Sequence, residues 1–140
     1  MILTYPDTPV NVVEIIADRT PTTISIEWNE GPENGGTPVL DYRVSYDQAT
    51  GEYVVLASMI NALKIQASAL TTGLTYKFKV EARNSYGFSA YTSEVAILCA
   101  AEPSQPDAPV TQVVNDEVIV EWTAPSDNGT PITYYELEFK

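Results

Sequence analysis

The chain contains no histidine. Histidine is the usual general base and a common metal ligand, because its charge changes near neutral pH. Its absence removes Ser-His-Asp and Cys-His nucleophilic machinery from these 140 residues. Cysteine is nearly as scarce. Cys99 stands alone, so no disulfide can close within the chain, and zinc would have to rely on one thiolate and carboxylates. Cys99 itself reads as a half-buried strand residue. Basic residues number seven against nineteen acidic ones, a net charge of −12. That balance lacks the footprint phosphate backbones demand, which argues against nucleic acid, and it disfavours anionic membrane surfaces. No apolar run reaches the ~20 residues of a membrane-spanning helix, so no membrane insertion is expected in this segment. The opening residues, 1–6, have neither the basic flank nor the long apolar stretch of a secretory leader.

The nineteen carboxylates are scattered. Glu27, Glu81, Glu121 and Glu136 fall at outward positions of alternating segments, where solvated charge is expected. The nearest grouping, Glu30, Glu33 and Asp41, lacks the close alternate spacing of a calcium loop. Asp7, Glu102 and Asp107 leave a weaker option of calcium bridged between domains. Gly35-Gly36 and Gly129 precede Thr-Pro without the basic residue of a phosphate-binding loop, so turn geometry accounts for them. No cofactor, metal site or catalytic residue is expected.

What the chain does have is strand. It is 44% hydrophobic, with nine tyrosines and many Val, Ile and Thr residues. Ile24, Ile26 and Trp28 alternate with polar residues, as do Tyr42, Val44 and Tyr46, and Tyr76, Phe78, Val80 and Ala82. Further strands are expected near 10–16, 52–57, 62–67 and 92–98. Turn signals separate them: Asp18–Pro21, Gly31–Gly36, Thr50-Gly51, Thr71–Gly73 and Asn84–Gly87. Seven short strands in about 95 residues predict an all-β fold, an immunoglobulin-like, seven-stranded antiparallel β-sandwich.

The sequence also repeats itself. Pro6-Asp7-Thr8-Pro9-Val10 recurs as Pro106-Asp107-Ala108-Pro109-Val110, and Ile26-Glu27-Trp28 as Val120-Glu121-Trp122. Asn34–Val39 recurs as Asn128–Ile132, and Tyr42–Tyr46 as Tyr135–Phe139. The offset falls from 100 to 93 or 94, so length is lost in the first strand of the second copy or the turn after it. The expected division is a strand of a preceding domain at 1–5, a complete domain at 6–100, a linker at 101–105 and the first strands of a following domain at 106–140. Pro103 and Pro106 limit backbone freedom in that linker.

The joint pattern resembles the fibronectin type III family, in tandem. It is carried by Pro6-x-x-Pro9, Trp28, and Asn34-Gly35-Gly36-x-Pro38-Val39 leading to Tyr42. Leu70 before Gly73 continues it, followed by Tyr76-x-Phe78-x-Val80-x-Ala82-x-Asn84-x-x-Gly87-x-Ser89. The resemblance implies a core tryptophan at Trp28 and a corner formed by Tyr76 against Leu70. Phe88–Ser93 loosely resembles the Trp-Ser-x-Trp-Ser box of cytokine receptors with both tryptophans replaced. The integrin-binding Arg-Gly-Asp used by some relatives has no counterpart in Asn84–Phe88.

Function is therefore expected to be architectural: a non-catalytic repeat of a surface or extracellular protein, serving as spacer or fibril block. Its partners would be proteins, meaning neighbouring domains or copies of itself, with glycans as a further option. A recognition segment of a receptor or adhesin competes with this, as does an accessory module of a larger secreted enzyme. An intracellular cytoskeletal array fits the lone cysteine as well. Tyr86, Phe88 and Tyr91 are the candidate partner contacts. Asn128 in Asn-Gly-Thr is the candidate glycosylation site, although Pro131 follows.

Overall fold

The computed structural model describes residues 2–138. The alternating segments become strands whose apolar sides face each other. β1 (Val10–Glu14), β2 (Ile24–Asn29) and β5 (Lys64–Ala67) form one sheet in the order β1-β2-β5. β3 (Asp41–Tyr46), β4 (Val54–Ile60), β6 (Thr75–Arg83) and β7 (Val95–Leu98) form the other, in the order β4-β3-β6-β7. All these pairings are antiparallel. Ile24, Ile26 and Trp28 from the first sheet meet Tyr42, Val44, Phe78, Val80 and Ala82 from the second in one core. The only helical element among the described residues is a short 3-10 turn at Ile16–Asp18.

Trp28 is 2% exposed and meets Tyr42 edge-on, with ring centroids 5.5 Å apart. The expected corner is present. Leu70 is buried in the core cluster, and the Thr71 N–H donates to the Tyr76 hydroxyl at 2.9 Å. This bond lets a buried phenol keep a partner while it pins the turn before β6. Asp47 does similar work at the other end of β3, where its Oδ1 accepts from the Ala49 and Lys77 N–H groups.

Three expectations need correction. Glu81 does not face solvent: it is 3% exposed, because Arg43 on β3 pairs with it and Phe88 covers that arginine. Cys99 is fully rather than half buried, with Sγ 3.2 Å from the Pro21 carbonyl oxygen. The described residues 2–9, which include most of the segment expected as the strand of a preceding domain, carry no ladder within this chain. Their backbone turns instead to the loops of the sandwich, as described below. Finally, the strand expected at 52–57 begins and ends later, at Val54–Ile60.

The second copy of the pattern forms a separate two-stranded sheet, β8 (Val110–Val114) with β9 (Glu117–Glu121). Asn115 and Asp116 link them, both with positive φ (49° and 66°), as a tight two-residue hairpin requires. In the first copy residues 15–23 make the same connection, nine residues against two. This shorter connection accounts for the fall in repeat offset from 100 to 94, and the single glycine of Asn128-Gly129-Thr130, against Gly35-Gly36, for the last step to 93. Tyr135–Glu138 form no strand, and Phe139 lies outside the described residues. Trp122 still meets Tyr135, centroids 5.4 Å apart, but is 43% exposed because no second sheet covers it here.

Two outcomes follow. Tyr76→Phe removes one buried hydrogen bond and should lower stability by about 1 to 2 kcal/mol, read as a reduced urea midpoint with unchanged m. The Cys99 thiol, pushed up by burial and secondarily by Glu14, should resist alkylation in the native protein and react only in denaturant. Alkylation at the rate of a free thiol would contradict this placement.

Candidate functional site

No strand accompanies residues 2–9, so their backbone groups need other partners. The loop end of the sandwich supplies them. The Thr4 N–H donates to the Gly35 carbonyl at 2.9 Å, and the Asp7 N–H donates to the Glu33 carbonyl at 2.8 Å. Asn84, 2% exposed, holds the arrangement from below. Its Nδ2 donates to the Thr4 and Asn34 carbonyls, both at 2.8 Å. Its Oδ1 accepts from the Tyr86 and Gly87 N–H groups at 2.9 and 3.1 Å. A single amide thus joins three chain segments, a task that needs two donors and an acceptor on one side chain. Gly35 must lack a side chain here: a Cβ would lie 2.3 Å from the Thr4 carbonyl oxygen.

The same lead-in recurs in the second copy. The Ala101 N–H donates to the Asn128 carbonyl at 3.0 Å, and the Ser104 N–H donates to the Ser126 carbonyl at 3.0 Å. These bonds equate Thr4 with Ala101 and Asp7 with Ser104, an offset of 97. The lead-in bonds therefore set Pro6 against Pro103, whereas the strand starts, Val10 and Val110, keep Pro9 against Pro109 as the sequence match indicates. Segment 101–105, expected as a short linker stiffened by prolines, is bonded along the loop that follows it.

A second surface lies on the outer side of β3 and β6. Cross-strand register sets Asp41 beside Arg83, Arg43 beside Glu81 and Ser45 beside Lys79. Arg43 pairs with Glu81, and Arg83 grips Asp41 through both Nε and an Nη. That grip pushes the Arg83 guanidinium further up from its ordinary value. The Phe88 ring lies over Arg43, 3.9 Å from the guanidinium carbon to the ring centroid, with Arg83 at 5.8 Å. Lys79 Nζ sits 4.0 Å from the Tyr53 ring centroid and 5.9 Å from that of Tyr91. Burial, then the Glu94 carboxylate, pushes the Tyr53 phenol up to about 12. Ser89 and Thr92 continue this surface along β6, where their hydroxyls accept from the Ala82 and Val80 N–H groups at 2.9 and 3.0 Å.

The three candidate aromatics do not form one patch. Tyr86 meets Tyr5 edge-on at 4.7 Å in the lead-in. Phe88 is half-buried among the arginines, and Tyr91 stands 46% exposed at the lysine end. Asn128 holds its loop, its Nδ2 donating to the Glu102 carbonyl at 2.6 Å. Glu30, Glu33 and Asp41 do not assemble, and no group of three potential metal ligands occurs among the described residues. Sequence reasoning named Asn84 only as part of the family pattern and a turn signal, and did not single out Thr4 or the Arg43–Glu81 pair. The opposite charges at facing positions of β3 and β6 were the available signal for the last of these.

The Fibronectin type III domain family matches residues 8–97. The chain belongs to this family. It is 28% identical over 119 residues to human Fibronectin type-III domain-containing protein 3A, covering 83% of the chain and 10% of that protein. It is 28% identical over 156 residues to human Cell adhesion molecule-related/down-regulated by oncogenes, covering 96% of the chain and 11% of that protein. The chain thus spans about a tenth of the length of these relatives. Among solved structures, domains A168–A170 from titin match with a TM-score of 0.61 at 22% identity, over 68% of this chain and 32% of that one. That likeness shows the β-sandwich fold. No described helix is long and apolar enough to cross a membrane.

Arg43→Ala would strip the partner from the buried Glu81 carboxylate. The expected loss is about 2 kcal/mol or more, measured by chemical denaturation. Arg43→Met combined with Glu81→Leu should recover most of it, and a double variant no better than the single one would contradict the pairing.

Proposed function

We propose that this fibronectin type III chain is a non-catalytic structural repeat of a multidomain protein, where it sets spacing between neighbouring parts. The observation that carries this reading is the lead-in bond pair found twice, Thr4–Gly35 with Asp7–Glu33 and Ala101–Asn128 with Ser104–Ser126. A chain whose connections are built to the same pattern in each copy adds length by repetition, and each copy contacts mainly its neighbours. The chain's polar chemistry goes into structure: Asp41, Asp47, Glu81 and Asn84 are all buried and all hydrogen-bonded or paired. In this reading residues 106–138 belong to a following domain of the same family.

A surface or extracellular setting is supported by the relative whose name describes it as cell adhesion molecule-related. The titin likeness supports the fold alone, and an intracellular array stays the alternative. Partners in this reading are neighbouring domains of the same protein.

Stretching the full-length protein between its ends tests the reading. Evenly spaced unfolding events of about 30 nm each are expected, the extended length of one sandwich. A single unfolding event, or a compact particle that resists extension, would overturn it.

A further inference from the structure

The first copy ends and the second begins with almost no free backbone between them. The Cys99 N–H donates to the Leu74 carbonyl at 2.8 Å, which ties residue 99 to the sandwich. The Ala101 N–H already donates to Asn128 in the next copy. Only Ala100 lies between these bonds, and it is buried at 5% exposure. A tether of one buried residue restricts the angles available to the two parts.

The parts also touch. Gly129, at φ +95°, leaves no room for a side chain: a Cβ would lie 2.8 Å from the Gly73 nitrogen, 3.0 Å from the Cys99 carbonyl oxygen and 3.0 Å from Thr72 Cγ2. A Cβ on Gly73 would meet Gly129 Cα at 3.8 Å. The two glycines therefore face each other, backbone on backbone. The turn at 71–73 is itself fixed, since the Gly73 N–H donates to the Cys99 carbonyl at 2.8 Å and Thr72 Oγ1 donates to the Pro21 carbonyl at 2.6 Å.

We infer that the turn at residues 71–73 is a docking surface for the Asn-Gly-Thr-Pro loop of the next repeat, and that this contact sets the angle between successive repeats. The inference deepens the spacer reading and rests on it. The first copy carries the matching half of such a junction at its opposite end. Gly36 occupies the position of Gly129 at the offset of 93, with a positive φ of 87°. Ile2 and Leu3 occupy those of Cys99 and Ala100 at the offset of 97. They are 86% and 40% exposed, where Cys99 and Ala100 are buried. The partner that fits this surface is the corresponding turn of another fibronectin type III repeat.

The test is a dipolar distance measurement between spin labels at Glu52→Cys and Gln112→Cys in the full chain. Both positions are exposed, and buried Cys99 is shielded from label. A single narrow distance distribution is expected. Gly129→Ala should broaden it roughly twofold or more, whereas Gly36→Ala, which imposes a similar backbone strain on an undocked loop, should leave it unchanged. Thr72→Arg, on the folded first sandwich, should broaden it as well and cannot act by unfolding the second copy. A broad distribution in the parent chain, or no response to Thr72→Arg, would overturn the junction. Regular unfolding events under force would then still stand for the spacer role, so the two failures are separable.

Discussion

A backbone without a neighbouring strand must still satisfy its N–H and carbonyl groups. The lead-in at Thr4–Asp7 meets that demand by bonding to the loop at Glu33–Gly35, and much of the loop end follows from it. Gly35 is required because the Thr4 carbonyl passes over it. Gly87 is open because the Tyr5 ring occupies the space a Cβ would need, at 2.6 Å. Asn84 is buried because only a primary amide can donate to two carbonyls and accept from two N–H groups at once. Gly35, Asn84 and Gly87, which look like loop punctuation in the sequence, are one assembly with the lead-in.

The outer face of β3 and β6 shows how an acidic chain uses its few basic residues. Arg43, Lys77, Lys79 and Arg83 all lie there, each beside a carboxylate or an aromatic ring. Phe88 shields the Arg43–Glu81 pair, which explains how a glutamate reaches 3% exposure on the side of a sheet away from the core. Removing one partner there costs more than the pair itself contributes, because the remaining charge stays buried.

Much of the sandwich was legible in the sequence. Period-two alternation identified β2, β3 and β6, because side chains on a pleated strand alternate strictly and one face must be apolar. The core tryptophan and the Tyr76 corner came from family resemblance, and the structure places both as implied. The charged face was not legible in the same way. Alternation marks Glu81 as outward, and it is outward; only the cross-strand partner and the covering ring make it buried. The bonds of the lead-in were not legible: Ile2-Leu3-Thr4-Tyr5 has strand composition, while its partners within the chain lie about 30 and 80 residues away, beyond any local pattern. The register of Pro6 had the same cause: three prolines at equal spacing offer two registers, and the lead-in bonds set Pro6 against Pro103 while the strand starts keep Pro9 against Pro109.

The central claim is that each lead-in belongs to the loop it precedes and is not a free connection. Residue-resolved amide hydrogen exchange tests it most directly, at Thr4, Asp7, Ala101 and Ser104. The account predicts that all four amides are protected well beyond the rate of an unstructured peptide, with Ala101 and Ser104 slowed like their first-copy equivalents. Exchange of Ala101 and Ser104 at the unprotected rate, alongside protected Thr4 and Asp7, would contradict it.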